Sequence, residues 1–227
     1  MGVLFEKEDL RDGYAVFEDR GDAGRQLASF LEVEGLHGDL ILAIPNGGVE
    51  VGYHASLELG ARLAVAVVRK ITFPWTTEAG FGAVSWLGDV EVDEAALRFM
   101  SEAEYRRCLE RAKRSVEERV RLFRDYLPDS LEGLEVIIVD DGLATGYTML
   151  AAIKAAKRLG ARKLIAAVPT SSLSAARLTL DHVDALAVLN LRMQLPYAVA
   201  DAYRRWRDLS ESEVLSMLHA LRELGLA

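Results

Sequence analysis

The stretch whose reading decides the fold is Val136-Ile-Ile-Val-Asp-Asp-Gly-Leu-Ala-Thr-Gly-Tyr-Thr148. Apolar, mostly branched residues in unbroken succession suit a strand buried on both faces, as in a parallel sheet. Two adjacent acids end the run, and a helix-like stretch from Tyr147 to Leu159 follows, closed by Gly160. Glycine just past the last helical residue is the usual left-handed cap. A strand ending this way delivers Asp140 and Asp141 to the carboxyl edge of its sheet, where open α/β sheets bind ligands.

The same pattern occurs earlier in the chain. Asp39-Leu-Ile-Leu-Ala-Ile44 is followed by Pro45-Asn-Gly-Gly48 and by a helix-like stretch, Val49 to Leu59, closed by Gly60. Each unit leads into another apolar run, Leu63 to Val68 and Lys163 to Val168, and Val183 to Leu189 offers a further strand. Two βαβ units predict a Rossmann-like, doubly wound, mainly parallel α/β sheet. Arg69 and Lys70 are expected at the end of the strand Leu63 to Val68, again at the ligand edge.

Between the units, Ser101-x-x-Glu104 forms a capping box. Tyr105, Leu109, Ala112, Val116, Val120, Phe123 and Leu127 then mark one face of a long amphipathic helix. Cys108 lies beside that stripe and reads as a buried structural thiol. Ile71 to Asp93, rich in Thr, Gly, Trp and Phe, predicts a mobile loop and then a hairpin. Asn190 to Arg207 is irregular and aromatic, and Ser210-x-x-Glu213 opens a last helix. With no repeat and no low-complexity linker, residues 1–227 are expected to form one domain, its core spanning about 22–170 and its helical insertion about 93–127.

Composition narrows the function classes. The 227 residues are 51% hydrophobic and 27% charged, with 27 Lys and Arg against 35 Asp and Glu. The formal charge of −8 argues against a broad surface for tracking nucleic-acid phosphates, though not against a small basic pocket. A single cysteine excludes an intramolecular disulfide. His37, His54, His182 and His219 have no metal-ligand spacing among themselves or with Cys108. The start resembles no signal peptide and no apolar run is long enough to span a membrane, so a cytoplasmic protein is expected.

The chemistry of the deciding stretch is specific. Backbone amides, the hydroxyls of Thr145 and Thr148 and the positive end of a helix dipole suit a dianionic phosphate. Asp140 and Asp141 repel such a group but accept hydrogen bonds from vicinal hydroxyls. A ribose 5-phosphate meets both demands. The glycines of Pro45-Asn-Gly-Gly48 would let main-chain amides approach a second anion.

This run of apolar residues, two acids and then small-Thr-Gly-x-Thr resembles the 5-phosphoribosyl-1-pyrophosphate (PRPP) signature of the type I phosphoribosyltransferases. Val67-Val-Arg-Lys-Ile71, Gly82-Ala-Val84, Tyr197-Ala-Val-x-x-x-Tyr203 and Asp208-Leu-Ser are similar to a bacterial and archaeal subgroup of poorly assigned substrate. The resemblance implies transfer of ribose 5-phosphate from PRPP to a nucleobase-like or small aromatic or amine acceptor, with Mg2+ bound mainly through PRPP and no metal site of the chain's own. It implies that Asp140 and Asp141 hold the ribose and that Gly142, Leu143, Ala144, Thr145, Gly146, Tyr147 and Thr148 complete the PRPP loop. Asn46, Gly47, Gly48, Arg69 and Lys70 would bind pyrophosphate, and the loop Thr72 to Glu78 would close over the site. A homodimer is implied as well.

Four positions depart from the family pattern. Gly142 stands where an aliphatic residue is usual, and Asn46 where Arg or Lys is frequent. Ala144 replaces the Asp of purine-salvage relatives, which disfavours hypoxanthine–guanine chemistry, and Tyr147 replaces a frequent Lys. The acceptor-recognising hood is expected from the termini and about 72–92, with Trp75, Trp86, Tyr197 and Trp206 as stacking candidates. Two alternatives stand beside the enzyme: a PRPP- or nucleotide-binding regulator of the same fold without turnover, and a nucleotide-binding α/β module of another family.

Overall fold

Strands built from unbroken apolar runs require cover on both faces of their sheet, and the chain supplies it. The computed structural model describes residues 2–76, 79–194 and 196–227. In chain order the elements are β1 (Val3–Glu6), α1 (Arg20–Val33), β2 (Leu40–Ala43), α2 (Gly47–Leu59), β3 (Arg62–Val65), β4 (Val68–Thr72), β5 (Gly80–Ser85) and β6 (Val90–Val92). There follow α3 (Glu94–Leu97), α4 (Glu102–Leu122), β7 (Glu135–Val139), α5 (Tyr147–Arg158), β8 (Lys163–Ser172), α6 (Leu173–Leu180), β9 (Ala185–Arg192) and α7 (Glu211–Glu223).

Six strands form one parallel sheet in the order β1-β9-β8-β7-β2-β3. From β2 the chain winds through α2 to β3, and from β7 it winds the other way through α5 to β8. The strand order therefore reverses between the neighbours β2 and β7, whose carboxyl ends flank the crevice where such sheets take ligands. Alternation divides each strand between two cores. Ile41, Ala43, Ile137 and Val139 pack with Leu27, Leu31 and Val51 of α1 and α2. Leu40, Leu42, Val136 and Ile138 pack with Met149, Leu150 and Ile153 of α5. Gly60 and Gly160, at φ +61° and +90°, occupy the left-handed positions read from the sequence.

The apolar run Leu63 to Val68 is not one strand. Ala66 makes the last main-chain bond to β2, to the Ala43 carbonyl at 2.8 Å, and the chain then leaves the parallel sheet. Val68 opens a three-stranded antiparallel sheet, β4-β5-β6, so Arg69 and Lys70 lie inside β4 rather than at the end of a core strand. Val65, Ala66, Val67 and Val68 are all buried, which is why apolar patterning does not mark the break. Thr77 and Glu78, in the expected loop, lie outside the described residues. Of the segments assigned to the hood, Val3–Glu6 forms the outer edge of the main sheet beside β9.

Helix α4 starts at the expected capping box, with Ser101 N donating to Glu104 Oε2 at 2.8 Å and Glu104 N to Ser101 Oγ at 3.3 Å. It ends at Leu122, before the end of the apolar stripe, and a short 3-10 turn over Arg124–Tyr126 follows. Cys108, Ala112 and Val116 bury its inner face in the core that contains Ile71, Phe81 and Val84 of β4 and β5.

Candidate active site

The acid pair stands where β7 leaves the core. Asp140 is 9% exposed, and its Oδ1 accepts from the Asp141 amide at 2.9 Å. Asp141 Oδ2 accepts from Arg20 Nε at 2.8 Å, and the Asp141 carbonyl accepts from the Tyr203 hydroxyl at 2.6 Å. Arg20, at 6% exposure, is itself held by its bond to the Arg207 carbonyl (2.8 Å) and by the Trp206 ring, whose centroid lies 3.9 Å from its Cζ. Burial pushes the Asp140 carboxyl well above the ordinary carboxylate range, and the neighbouring charge of Asp141 adds to this. Burial raises Asp141 too, but the Arg20 guanidinium opposes the rise.

The loop between β2 and α2 lies against these acids. A methyl group on Gly47 would sit 1.8 Å from Asp141 Oδ2, and one on Gly48 would sit 2.8 Å from both Asp140 Cα and the Val139 carbonyl oxygen. Both glycines are thus required by close approach to the acid pair. The Pro45–Asn46 peptide is cis. Both ends of the Asn46 amide are engaged: Nδ2 donates to the Leu209 carbonyl at 2.6 Å, and Oδ1 accepts from Arg119 Nη1 at 2.7 Å.

Two helices begin here, and both lack a side-chain cap. Asp19, Asp93, Ser101, Ser172 and Ser210 cap α1, α3, α4, α6 and α7. No side chain caps α2, which starts after Asn46, or α5, which starts after Gly146 at φ +88°. Uncapped first turns leave amide donors and the positive dipole end for another partner. Both ends border a cavity of about 570 Å³ lined by Asn46, Gly47, Asp140, Asp141, Gly142, Ala144, Thr145 and Thr148. Its volume lies within the range of small-molecule sites.

Arg69 and Lys70 of β4 also line the cavity. The positive charge of Lys70 acts on both acids, lowering their proton affinity against the effect of burial. The cavity does not gather every residue of the predicted loop. Leu143 is buried in the core, where it bridges to Ser171 of β8, and Tyr147 packs against the same core. The side chains of Leu143 and Tyr147 therefore do not face the cavity, and Gly146 serves as the α5 N-cap. A methyl on Gly142 would meet Val199 Cγ1 at 2.6 Å, so Val199 fills space that an aliphatic residue at 142 would claim.

Several site residues escaped the sequence reading. Arg20, Arg111, Ser115 and Arg119 sit far from the signature in sequence and reach the site through α1 and α4, while Tyr203, read from the sequence only as part of the subgroup pattern, reaches it from the C-terminal segment. Arg111, Ser115 and Arg119 share one face of α4 at helical spacing, a signal that becomes informative once Cys108, Ala112 and Val116 are known to face inward. Of the four stacking candidates, Trp206 lines the cavity. Trp75 stacks on Phe73, Trp86 packs on the core, and Tyr197 donates to Thr170 Oγ1 at 3.3 Å.

Comparison with known proteins bears on this arrangement. Residues 93–190 match the family model described as the phosphoribosyl transferase domain, a span that includes α4, the acid pair and most of β9. Two Mycobacterium tuberculosis proteins, from strains CDC 1551 / Oshkosh and ATCC 25618 / H37Rv, each named "Putative phosphoribosyl transferase", are 35% identical over 210 residues. Residues 93–190 of this chain therefore carry a phosphoribosyl transferase domain match. The matched region is 89% of the chain and 46% of each relative, so the chain spans about half the length of the curated relatives it matches. A solved structure described as TT1426 from Thermus thermophilus is 32% identical, with a TM-score of 0.71, and the match covers 89% of this chain and 97% of that one. Among the described residues, no helix is long and apolar enough to cross a membrane.

Proposed function

We propose that the chain transfers the 5-phosphoribosyl group of PRPP to a nitrogen of a nucleobase-like or other small aromatic or amine acceptor, releasing pyrophosphate. The observation that carries this reading is the meeting of an acid pair, Asp140 buried and Asp141 part-buried, with two uncapped helix N-termini around one cavity. The first turn of α5, with Thr145 and Thr148, suits the phosphate ester. Asp140 and Asp141 accept hydrogen bonds from the ribose diol, with Arg20 fixing the orientation of Asp141. Gly47 and Gly48, with Arg69 and Lys70, receive the diphosphate, whose charge grows as its bond to the anomeric carbon breaks. The acceptor nitrogen bonds to that carbon as the pyrophosphate leaves.

The donor set fits Mg2+ that arrives on the diphosphate. Two carboxylates face the cavity, and among the described residues no cluster of three or more His, Cys, Asp or Glu is arranged to hold a metal. When bound, the ion neutralises charge on the leaving group, its remaining ligands coming from phosphate oxygens and water.

Binding and turnover have separate tests. Asp141→Asn keeps the shape and loses a charged acceptor, and it is expected to weaken PRPP·Mg binding by about 2 kcal/mol. Equal affinities of variant and parent by calorimetry would remove the ribose assignment. Turnover is read as PRPP-dependent pyrophosphate release across purines, pyrimidines and small amines. Ala144 places a methyl group in the cavity wall, where it cannot accept a proton from the acceptor. That observation favours the regulator as the second reading, and PRPP binding with no release on any acceptor selects it.

A further inference from the structure

Asn46 leaves the loop 45–48 without a cation, and both ends of its amide are already engaged, by Leu209 and Arg119. The cavity's free positive charge is elsewhere. Arg69 and Lys70 face it from β4, and Arg111 faces it from α4, with Ser115 one turn further along the same helix. Arg106, Lys113 and Arg119 on α4 each pair with an acid. Arg111 is held differently, by neutral oxygens through a single nitrogen: Nη2 donates to the Thr72 hydroxyl at 2.8 Å, the Thr72 carbonyl at 3.0 Å and the Phe73 carbonyl at 3.4 Å. Those contacts fix the guanidinium beside the end of β4, and among the described residues no acid pairs with it. A fixed guanidinium at a cavity wall is suited to two oxygens of a phosphate at once.

Resting on the PRPP reading, we propose that α4 supplies the diphosphate-binding cation that the loop 45–48 lacks. Arg111 binds the diphosphate of PRPP and the pyrophosphate released from it, with the Ser115 hydroxyl beside it. The inserted helix is then part of the substrate site as well as a cover for β4 and β5. No bond is made or broken by Arg111; it lowers the energy of bound diphosphate by charge and by donated hydrogen bonds.

The test is calorimetric titration of the full chain with two probes, pyrophosphate·Mg and ribose 5-phosphate. Arg111→Ala is expected to loosen pyrophosphate·Mg by about tenfold or more while ribose 5-phosphate changes less than about twofold. Arg111→Lys, which keeps the charge and loses the fork, is expected to recover part of the loss. Unchanged pyrophosphate affinity in Arg111→Ala overturns the proposal and leaves the PRPP reading standing. So does an equal loss for both probes, which would mark Arg111 as a tether for Thr72 alone. Failure of the parent protein to bind either probe overturns the PRPP reading itself.

Discussion

At the scale of single residues, the acid pair bears on stability through its buried charge. Asp140 has a raised proton affinity in the folded chain, so ionising it costs stability. The sign follows from the direction of the shift. Below the ordinary carboxylate value, about 4, both states carry the proton and no penalty exists. The penalty grows as pH rises above that value and is complete above the raised folded value. Asp140→Asn keeps an acceptor for the Asp141 amide, and it is expected to raise the melting temperature near pH 7 and to lose that advantage as pH falls toward 4. A melting temperature unchanged at neutral pH would contradict the buried charge. Gly47→Ala tests the other half of the contact. Its methyl would meet Asp141 Oδ2 at 1.8 Å, and about 1–3 kcal/mol of destabilisation in chemical denaturation is expected from overpacking. The acid pair and these glycines were legible as residue types in order. Arg20, 121 positions from its partner, was not, because no local pattern marks a charge that pairs across the fold.

At the scale of elements, α4 joins two walls of the site. Arg119 reaches Asn46 in the loop 45–48, and Arg111 reaches Thr72 at the end of β4. Ser101→Ala removes the cap of this helix and is expected to cost about 1 kcal/mol in thermal or urea unfolding. Arg119→Met removes the donor to Asn46 Oδ1, and faster hydrogen exchange of the amides at 46–48 is expected, with the rest of the sheet protected as before. Uniform exchange across both proteins would show that the loop holds itself. The capping box and the amphipathic stripe gave α4 from the sequence, because both follow from helical geometry. Its polar positions looked like a solvated face. The difference arises because the cavity, not bulk water, lies against part of that face.

At the scale of the whole molecule, the fold places the cavity where two windings diverge. Ligand bound only by the folded state adds stability as its concentration exceeds its dissociation constant. PRPP·Mg at about one hundred times that constant is expected to add about 2.7 kcal/mol. For a chain of this size, that corresponds to a rise of roughly 5–11 °C in melting temperature. No rise at saturating PRPP·Mg would exclude the ribose-phosphate site, whatever the acceptor.

Two apolar runs with their acids, glycines and caps determined the doubly wound sheet, since strand burial and helix termini are governed by neighbours in the chain. The tertiary structure alone decided that Leu63 to Val68 breaks between two sheets and that Leu143 turns inward. It also decided that Arg20 of α1 reaches Asp141 and that Arg111 of α4 lines the cavity. Those outcomes depend on which surfaces meet, and a buried apolar run or a charged helix face looks the same in sequence whichever partner it finds.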